Sequence, residues 1–356
     1  MAAALKDCYS PSFVQQLGLL CQHQDPAFQL SAFHAYVLTD DWPELELKQR
    51  MRRISTGLGL HLTQPYAAAL AVVLQVARQF SGLPGLVFPD FVEVYGLEQP
   101  TLSIPALGEL TRYSSSEFAI RPYLLRYPEL VLPQLLLWAQ SPDLHQRRLA
   151  SEGARPRLPW GLALKNYQQD PSALLPLLEQ LKADPEPYVQ RSVANHLNDI
   201  SKDHPQLVLD LAARWLNHSA VTNWILRHAL RGLLKQANPQ ALLLFGITPV
   251  ALTAKLSLSS PSASASQPLH FQISLAGSAP PCQLRLEYRI GYLKKNGKLS
   301  FKVFQWAKPK WQGQPLQLAR QQAFVDLTTR KHYPGQHQLE IWLNGHCVAQ
   351  QSFELR

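Results

Sequence analysis

The period of the hydrophobic pattern changes once along this chain of 356 residues, and that change constrains the fold more than any single motif does. Up to about Phe245, apolar residues recur at helical spacing, as they do between Leu174 and Leu181. Beyond Thr248, apolar and polar residues alternate, so the apolar side chains of residues 284–290 share one face of a strand. The pattern therefore predicts a multidomain chain with an all-α half followed by an all-β half.

The β half carries the sequence signals of an antiparallel sandwich. Asn296-Gly297 and Asn344-Gly345 each lie between alternating runs, which is typical of a two-residue hairpin turn. About seven strands in roughly 105 residues is the size of an immunoglobulin-like sandwich. The Ser/Ala-rich segment Ser257–Gln267 is predicted to be a loop between the first strands. We expect a helical domain over residues 1–247 and the sandwich over residues 248–356.

The helical half contains a repeat in which each unit opens with proline. The last three units are spaced by 34 residues, and the first spacing is 43 residues. The four prolines are Pro128, Pro171, Pro205 and Pro239. Helical hairpins that cannot bury an apolar stripe alone must stack on one another, which predicts a solenoid whose second helices line one surface.

Each of the first three repeat units carries an arginine before its second helix. These arginines are Arg147, Arg191 and Arg227. We expect them to point together toward a phosphate backbone. The alternative is that each arginine ties one hairpin to the next by bonding a neighbouring carboxylate or helix end.

The positive charge of the chain is concentrated toward its C-terminus. Residues 1–250 hold 21 Lys+Arg and 21 Asp+Glu, whereas residues 251–356 hold 13 and 4. Within the first part, residues 145–250 hold 12 basic and 8 acidic residues. A basic sector of this kind is typical of a protein that meets phosphate on one side, and an ordinary solvated face is the alternative.

The sequence shows no motif for metal or nucleotide chemistry. Its twelve histidines form no HExxH pair, its four cysteines lie in no CxxC pair, and neither a Walker loop nor a GxSxG elbow is present. We therefore expect no metal site. The start lacks a basic leader region, and the apolar run Tyr66–Ala77 is shorter than the roughly 20 residues that span a bilayer, so we predict a soluble cytoplasmic protein.

Several long motifs resemble one family in their order along residues 50–245. They are RMRRISTGLGLHL, LVFPDFVEVYGLEQPTLSIPALGELTRYSSSEFAIRPYLL, RRLASEGARPRLPWG, VQRSVANHLNDISKDHP and NWILRHALRGLLKQ. The family is the AlkC branch of bacterial DNA alkylation repair glycosylases. The resemblance implies HEAT-like repeats, excision of cationic bases such as N3-methyladenine and N3-methylcytosine from double-stranded DNA, and no metal or organic cofactor. Some family members carry an added immunoglobulin-like domain, which matches the predicted sandwich. We also expect this chain to act as a monomer.

The chemistry that the resemblance implies needs a carboxylate rather than a hydroxyl nucleophile. An N3-methylated base is already a cationic leaving group, so the enzyme must mainly stabilise an oxocarbenium-like sugar and orient a water molecule. The candidate carboxylates are Glu117, Glu152, Asp199 and Asp203. Asp203 alternatively caps the following helix, and Glu117 alternatively pairs with Arg121 at i,i+4.

Glu152 ranks first among these carboxylates because of its neighbours in SEGARPRLPW. It stands among Arg148, Arg155 and Arg157, at the point where the repeat length changes. Trp160 lies in a turn between Pro159 and Gly161, where contact with the lesion by stacking or a cation–π interaction competes with a structural role. We predict catalytic roles for Glu152, Asp203, Trp160, Asp199 and Glu117. We predict DNA contacts for Arg148, Arg155 and Arg157.

Further DNA-binding residues are predicted in the last two helical units. Trp224 precedes a set of basic residues that cover one helical face at i+3, i+4 and i+7, namely Arg227, His228 and Arg231. The preceding unit offers further phosphate donors, namely Asn195, Asn198 and Lys202.

The hairpin around Asn296-Gly297 is rich in lysine. We predict that Lys294, Lys295 and Lys298 hold the phosphate backbone beside the lesion. Alternatively, the lysines simply keep the outer face of a soluble sandwich hydrated. For the whole chain, the alternative to a glycosylase is a non-catalytic HEAT-repeat scaffold that binds DNA or protein, because fold alone does not give function.

Overall fold

A computed structural model describes residues 4–62, 64–326 and 331–356. By its internal contacts the chain divides into two compact units. The first comprises the residues up to Val208 together with Trp215–Ala229, and the second comprises Leu209–Arg214 and Leu230–Arg356. No helix in the described ranges combines the length and the hydropathy that crossing a membrane requires.

The helical half is helical throughout, as the sequence predicts. The described residues form sixteen α-helices, which are α1 (Pro11–Gln24), α2 (Leu30–Val37), α3 (Leu47–His61), α4 (Tyr66–Ala77), α5 (Val87–Tyr95), α6 (Pro100–Leu110), α7 (Ile120–Arg126), α8 (Pro128–Ala139), α9 (Leu144–Gly153), α10 (Lys165–Gln169), α11 (Leu175–Leu181), α12 (Pro187–Ile200), α13 (Pro205–Trp215), α14 (Ala220–Ala229), α15 (Arg231–Lys235) and α16 (Pro239–Leu244). Short 3-10 turns precede or join some of them, at Leu5–Cys8, Trp42–Glu44, Leu83–Leu86 and Ser172–Leu174.

The repeat prolines mark helix starts. Pro128, Pro205 and Pro239 are the first residues of α8, α13 and α16, where the missing N–H has no intrahelical partner to lose. Pro171 precedes the 3-10 turn that leads into α11. The helices α9 and α14 both pack against α12, so the second helices of successive hairpins form one layer. This layer carries half of the predicted site residues.

Local capping fixes two of the helices that border the site. The Glu46 side chain and the Gln49 side chain form a capping box at the start of α3, with Gln49 Oε1 accepting from the Glu46 N–H at 2.8 Å. Asp143 caps α9 by accepting from the His145 N–H at 2.8 Å. Both helices therefore begin at defined residues, which fixes the direction of the side chains that follow.

The second half is a β-sandwich. Within the described residues it has ten strands, which are β1 (Leu252–Leu258), β2 (Ser262–Ala263), β3 (Leu269–Gly277), β4 (Cys282–Gln283), β5 (Leu286–Leu293), β6 (Leu299–Ala307), β7 (Lys310–Trp311), β8 (Leu316–Gln322), β9 (Gly335–Leu343) and β10 (His346–Leu355). The strand orders are β1-β3-β8, β2-β10-β9-β5-β6 and β4-β7. Three strands have only two residues each, so the seven longer ones match the expected size of the domain.

Both predicted hairpins form, but only one has the predicted turn. Leu343 pairs with His346, so Asn344-Gly345 is a two-residue turn, and both of its residues have positive φ. In the other hairpin Leu293 pairs with Leu299, and the Lys294 carbonyl accepts from the Gly297 N–H. This longer loop places Gly297 at φ 74°, where a side chain would be strained.

The first strand is longer than predicted. The Ser/Ala-rich segment was expected to form a loop from Ser257, but β1 continues to Leu258 because Ser257 and Leu258 pair with Gln272 and Phe271. Cross-strand pairing therefore overrides the low β-propensity of serine at this position.

The second unit also contains the last two helices. Arg289 on β5 donates from Nη2 to the Lys235 carbonyl of α15 at 3.2 Å, and Asn344 Nδ2 donates to the Thr248 carbonyl at 2.7 Å. α15 and α16 are thus packed with the strands, although the hydrophobic period changes only after Phe245.

Candidate functional site

A chain of alternating charges runs through the helical unit. Arg148 contacts the Glu117 carboxylate, and its Nη2 lies 3.8 Å from Glu152 Oε1. Arg155 then donates from Nη1 to Glu152 Oε1 at 2.6 Å and from Nε to Asp199 Oδ2 at 2.9 Å. The members in order are Glu117, Arg148, Glu152, Arg155, Asp199 and Lys202. We call this set the charge chain.

The three carboxylates of the charge chain are buried. Glu117, Glu152 and Asp199 retain 2%, 7% and 2% of their accessible surface. Burial by itself would lower the pKa of Arg148 and of Arg155, but the adjacent carboxylates raise both above the ordinary value. Each cation is therefore held charged, and the carboxylates are fixed in a low-dielectric setting where electrostatic effects are strong.

Local sequence explains the centre of the charge chain. Arg148 and Glu152 are four residues apart on α9, and Arg155 follows three residues after Glu152. Ser151 Oγ and Ser192 Oγ lie 2.6 Å apart, and this contact joins α9 to α12. The spacing and this serine contact bring the end of α9 against Asp199.

A buried histidine supports the same junction. His196 on α12 lies against the Ser151 carbonyl, with Nδ1 at 2.8 Å from the oxygen. Burial lowers the pKa of His196 to about 4. The imidazole is therefore neutral at physiological pH, and it adds no positive charge beside Glu152 and Arg155.

Trp160 stands next to the charge chain in an unusual conformation. It follows α9 in the loop before α10, its φ is 65°, and 66% of its surface is exposed. A left-handed backbone is rare for a residue other than glycine, and an exposed tryptophan is equally unusual, so both features are typical of a functional position.

Lys48, from the N-terminal part of the chain, contacts the backbone of Trp160. Its Nζ donates to the Trp160 carbonyl, 112 residues away in sequence, and lies 4.8 Å from the centroid of the Phe118 ring. Sequence reasoning missed both Lys48 and Phe118. No spacing rule connects residues so far apart, so only the fold brings them together.

Two clefts meet at Trp160. One, of about 490 Å³, is lined by Phe118, Tyr188 and Glu117. The other, of about 670 Å³, is lined by Arg52 and Glu93 on the α3 and α5 side. Trp160 and Lys48 line both clefts. The aromatic ring is therefore accessible to a ligand that enters either cleft.

The predicted alternative for Glu117 does not form. Its Oε1 accepts from Arg148 and its Oε2 accepts from Ser115, while Arg121 bonds the carbonyls of Gly153 and Leu162 instead. Glu117 precedes α7, so the i,i+4 geometry of a continuous helix is not available there. The carboxylate consequently belongs to the charge chain.

Asp203 lies outside the charge chain. Its two oxygens accept from Arg157 Nη2 at 2.7 Å and Arg157 Nε at 3.1 Å, and both side chains are partly exposed. α12 ends at Ile200, so Asp203 lies in the turn beyond the helix that carries Asp199. The Arg157–Asp203 pair is therefore a second ion pair, separate from the charge chain.

The three repeat arginines have different surroundings. Arg147 pairs with Asp184 at 2.7 Å and donates to the carbonyls of Ser141 and Pro142. It therefore connects neighbouring hairpins, as in the structural alternative. Arg191 on α12 and Arg227 on α14 are exposed. The guanidinium of Arg147 is therefore engaged within the repeat.

The α14 surface carries an aromatic pair. The Trp224 and His228 rings stack at 5.3 Å with an interplanar angle of 4°, and Trp224 is 43% exposed. Asn195 on α12 lies 3.3 Å from His228 Nε2. With Arg191 and Arg227, these side chains form what we call the α14 surface.

Two residues predicted with this surface are placed elsewhere. Asn198 is buried and its Nδ2 donates to the Ala229 carbonyl at 2.8 Å, so it ties α12 to α14 rather than facing a phosphate. Arg231 does not continue the face of Trp224, because α14 ends at Ala229 and Arg231 begins α15 in the second unit. Lys202 is exposed and bonds Asp199 at 3.1 Å.

The three predicted DNA-binding lysines of the sandwich lie in the loop of the β5–β6 hairpin. Lys294, Lys295 and Lys298 are all exposed. Across the part of the chain that the structure describes, no cluster of three or more His, Cys, Asp or Glu side chains is arranged to hold a metal ion.

Comparison with known proteins finds two family matches and a relative over the full length. The family described as "DNA alkylation repair enzyme" matches residues 113–233, and the family described as "Uncharacterised protein YhaZ, C-terminal Ig-like domain" matches residues 252–356. The uncharacterized protein YhaZ of Bacillus subtilis (strain 168) is 40% identical over 356 residues, which cover 99% of each chain.

A solved structure matches over the same length. It is the Pseudomonas fluorescens alkylpurine DNA glycosylase AlkC bound to DNA containing an abasic site analog. The sequence identity is 37%, the TM-score is 0.95, and the match covers 99% of this chain and 100% of that chain. Fold and family matches thus define a DNA alkylation repair protein with a C-terminal immunoglobulin-like domain. The chain belongs to the AlkC family, which confirms the resemblance found in its motifs.

Proposed function

We propose that this chain is a DNA glycosylase that hydrolyses the N-glycosidic bond of cationic N3-alkylated bases, N3-methyladenine and N3-methylcytosine, in double-stranded DNA. The observation that carries the proposal is the charge chain of buried carboxylates beside the exposed ring of Trp160. Support also comes from the AlkC relative, an alkylpurine DNA glycosylase by name.

The charge chain suits the departure of a cationic base. As the glycosidic bond breaks, positive charge moves from the base to the sugar, and a fixed carboxylate stabilises the sugar cation without proton transfer to the leaving group. Arg148 and Arg155 hold the carboxylates in place before substrate binds. Such preorganisation lowers the reorganisation needed in the transition state.

We assign the central role to Glu152. Glu117, Asp199 and Asp203 each have both oxygens engaged by hydrogen-bond donors. Among the described contacts of Glu152, both arginines approach Oε1, and Oε2 is engaged by neither. That oxygen is available to a sugar cation or to the attacking water.

Trp160 supplies the aromatic contact. The Lys48 hydrogen bond to its carbonyl fixes the backbone that carries this exposed ring. A cationic base or an electron-poor sugar is attracted to the face of an indole. We propose that the ring contacts the lesion from one side while Glu152 acts from the other.

The remaining contacts hold DNA without reading its sequence. We propose that the α14 surface of the helical unit and the β5–β6 hairpin of the sandwich unit each bind the phosphate backbone. Arg191, Arg227 and the hairpin lysines are exposed cations suited to this role. We further propose that the protein acts as a monomer in the cytoplasm, without a metal ion.

The test is release of free base from duplex DNA by purified protein in EDTA. DNA methylated by a simple alkylating agent should yield N3-methyladenine and N3-methylcytosine, and DNA carrying neutral hypoxanthine should yield no base. A chelator should not change the rate. Tight DNA binding with no base release would instead identify a non-catalytic DNA-binding protein.

A further inference from the structure

Arg121 is a fully buried arginine that bonds backbone carbonyls. It lies on α7 with 0% exposure. Its Nε donates to the Leu162 carbonyl at 2.6 Å, and its Nη1 donates to the Gly153 carbonyl at 2.7 Å. Its Nη2 has no hydrogen-bond partner within the described part of the molecule.

The two carbonyls lie at the two ends of one segment. Gly153 comes directly after Glu152, and Leu162 comes two residues after Trp160. The intervening residues include Arg155 of the charge chain. One guanidinium therefore fixes both ends of the segment that begins next to the proposed carboxylate and carries its partner Arg155 and the aromatic ring.

Glycine permits this close approach at both ends. A Cβ added at Gly153 would lie 2.7 Å from Ile120 Cγ2, which is closer than real contacts allow. A Cβ added at Gly161 would lie 3.3 Å from Arg121 Nε and 3.1 Å from Leu158 Cδ2. The segment is thus packed directly on α7 through its backbone.

The left-handed backbone of Trp160 requires such constraint. A non-glycine residue with φ 65° persists only where the surroundings determine its conformation. Three hydrogen bonds constrain it. Lys48 donates to the Trp160 carbonyl, and the Gly161 N–H donates to the Leu158 carbonyl at 3.1 Å. Arg121 donates to the Leu162 carbonyl.

Arg121 is also charged in this setting. Burial, and then the neighbouring Arg155, lower its pKa to about 10, while Asp199 and Glu152 act in the opposite direction. At neutral pH the guanidinium remains a cation. Burying a cation without a hydrogen-bonded carboxylate is unfavourable, and an apolar side chain would pack here without that cost.

We infer that Arg121 is a positioning residue for base excision, which fixes the Gly153–Leu162 segment so that Glu152 and Trp160 face the lesion together. It acts through backbone carbonyls and does not contact DNA. This inference depends on the proposed glycosylase function for its effect on rate, but its effect on the segment can be measured in the free protein.

The experiment compares Arg121→Lys and Arg121→Met with Arg126→Lys and Arg126→Met in the full chain. Arg126 is the matched control, because it lies on the same helix but pairs with Glu98 at the surface. Four quantities are measured: amide hydrogen exchange of residues 154–162, single-turnover base release at saturating protein, the Kd for DNA with an abasic-site analogue, and the melting temperature.

Arg121→Lys should raise exchange in this segment and slow single-turnover release by about 10- to 100-fold, since charged hydrogen bonds are lost. The Kd should change by less than about threefold, and exchange elsewhere should be preserved, as lysine retains the charge. The Arg126 variants should match the wild type. Unchanged exchange and rate in Arg121→Lys would overturn the inference. Equal relative losses of rate, DNA binding and melting temperature would also overturn it, because they would show general destabilisation of the fold.

The experiment also tests the inference in two other cases. If both Arg121 variants fail to fold, Gly161→Val replaces them, because its added side chain displaces the segment from Arg121. This variant should raise amide exchange of the segment and slow base release in the same way. Exchange and release equal to those of the wild type would overturn the inference. If the wild type releases no base, the proposed function fails, and the exchange measurement alone then shows whether Arg121 fixes the segment.

Discussion

Arg155 donates from Nε to Asp199 Oδ2 at 2.9 Å, although the two residues are 44 positions apart in the sequence. The same guanidinium bonds Glu152, so one cation neutralises two buried carboxylates from two helices. Arg155→Met should therefore lower the free energy of unfolding by about 3 to 5 kcal/mol, because two buried carboxylates each lose their arginine hydrogen bond. Urea denaturation followed by far-UV circular dichroism measures this change.

Arg157→Met is the matched control for that substitution. Arg157 also forms a two-oxygen pair with a carboxylate, Asp203, but the pair is partly exposed. Its loss should cost about 1 kcal/mol or less. Equal destabilisation by the two variants would mean that Arg155 is no more important to the fold than a surface arginine.

The two exposed tryptophans should affect different steps. Trp160→Ala should slow single-turnover base release by about tenfold or more, since a cation–π contact with the lesion is lost. Its melting temperature should change little, because the side chain is mostly exposed. Trp224→Ala should instead raise the Kd for DNA by about tenfold and leave the rate at saturation unchanged. Reversal of the two effects would contradict the assignment of the lesion site to Trp160.

The hairpin lysines should set part of the salt dependence of DNA binding. Replacing Lys294, Lys295 and Lys298 together by Gln should reduce the slope of log K against log salt by about 2 to 3, if each lysine binds one phosphate. Fluorescence anisotropy at several salt concentrations measures the slope.

A triple variant of Lys255, Lys308 and Lys310 provides the control with the same change in net charge. Lys255 lies on β1, and the other two lie beyond the opposite end of β6 from the hairpin. Equal loss of slope in both triple variants would show that only net charge matters.

Long-range pairing is what the sequence could not specify. The hydrophobic period and the Asn-Gly pairs were sufficient for the two fold classes and for both hairpins, because these signals depend on neighbouring residues. The contacts among Arg148, Glu152 and Arg155 are likewise local. Lys48 and Trp160, by contrast, meet only after the intervening helices have stacked.

Burial also changed the interpretation of Asn198, which the sequence suggested as a phosphate donor. Asn198 and His196 lie on α12, which is packed by α9 and α14 on either side. Both are buried, and each uses a nitrogen to contact a backbone carbonyl of a neighbouring helix. A polar residue in a helical motif resembles a surface donor until the packing on both sides is known.

His196 should make stability depend on pH. Burial lowers its folded-state pKa from the ordinary 6.5 to about 4, so between these pH values the unfolded chain binds a proton that the folded chain does not. Its contribution is therefore complete above about pH 6.5 and is lost as pH falls through about 4, a change of about 3 kcal/mol.

Unfolding measured at each pH for the wild type and His196→Gln tests this dependence. The stability of the wild type relative to His196→Gln should fall by the stated amount as the pH is lowered across the window. His218→Gln, at an exposed position, is the control and should follow the wild type. Parallel curves for the wild type and His196→Gln would show that the imidazole is not kept neutral by the fold.

Single-turnover release of N3-methyladenine from duplex DNA by Glu152→Gln, beside Asp203→Asn, tests the central claim most directly. Glutamine keeps the shape of Glu152 but removes the charge, so release should fall by about 100-fold or more while the Kd for DNA stays near that of the wild type. Asp203→Asn should retain most of the rate, because Asp203 is outside the charge chain and both of its oxygens bond Arg157. Full activity in Glu152→Gln, or loss of activity in Asp203→Asn alone, would contradict the assignment of the catalytic carboxylate to Glu152.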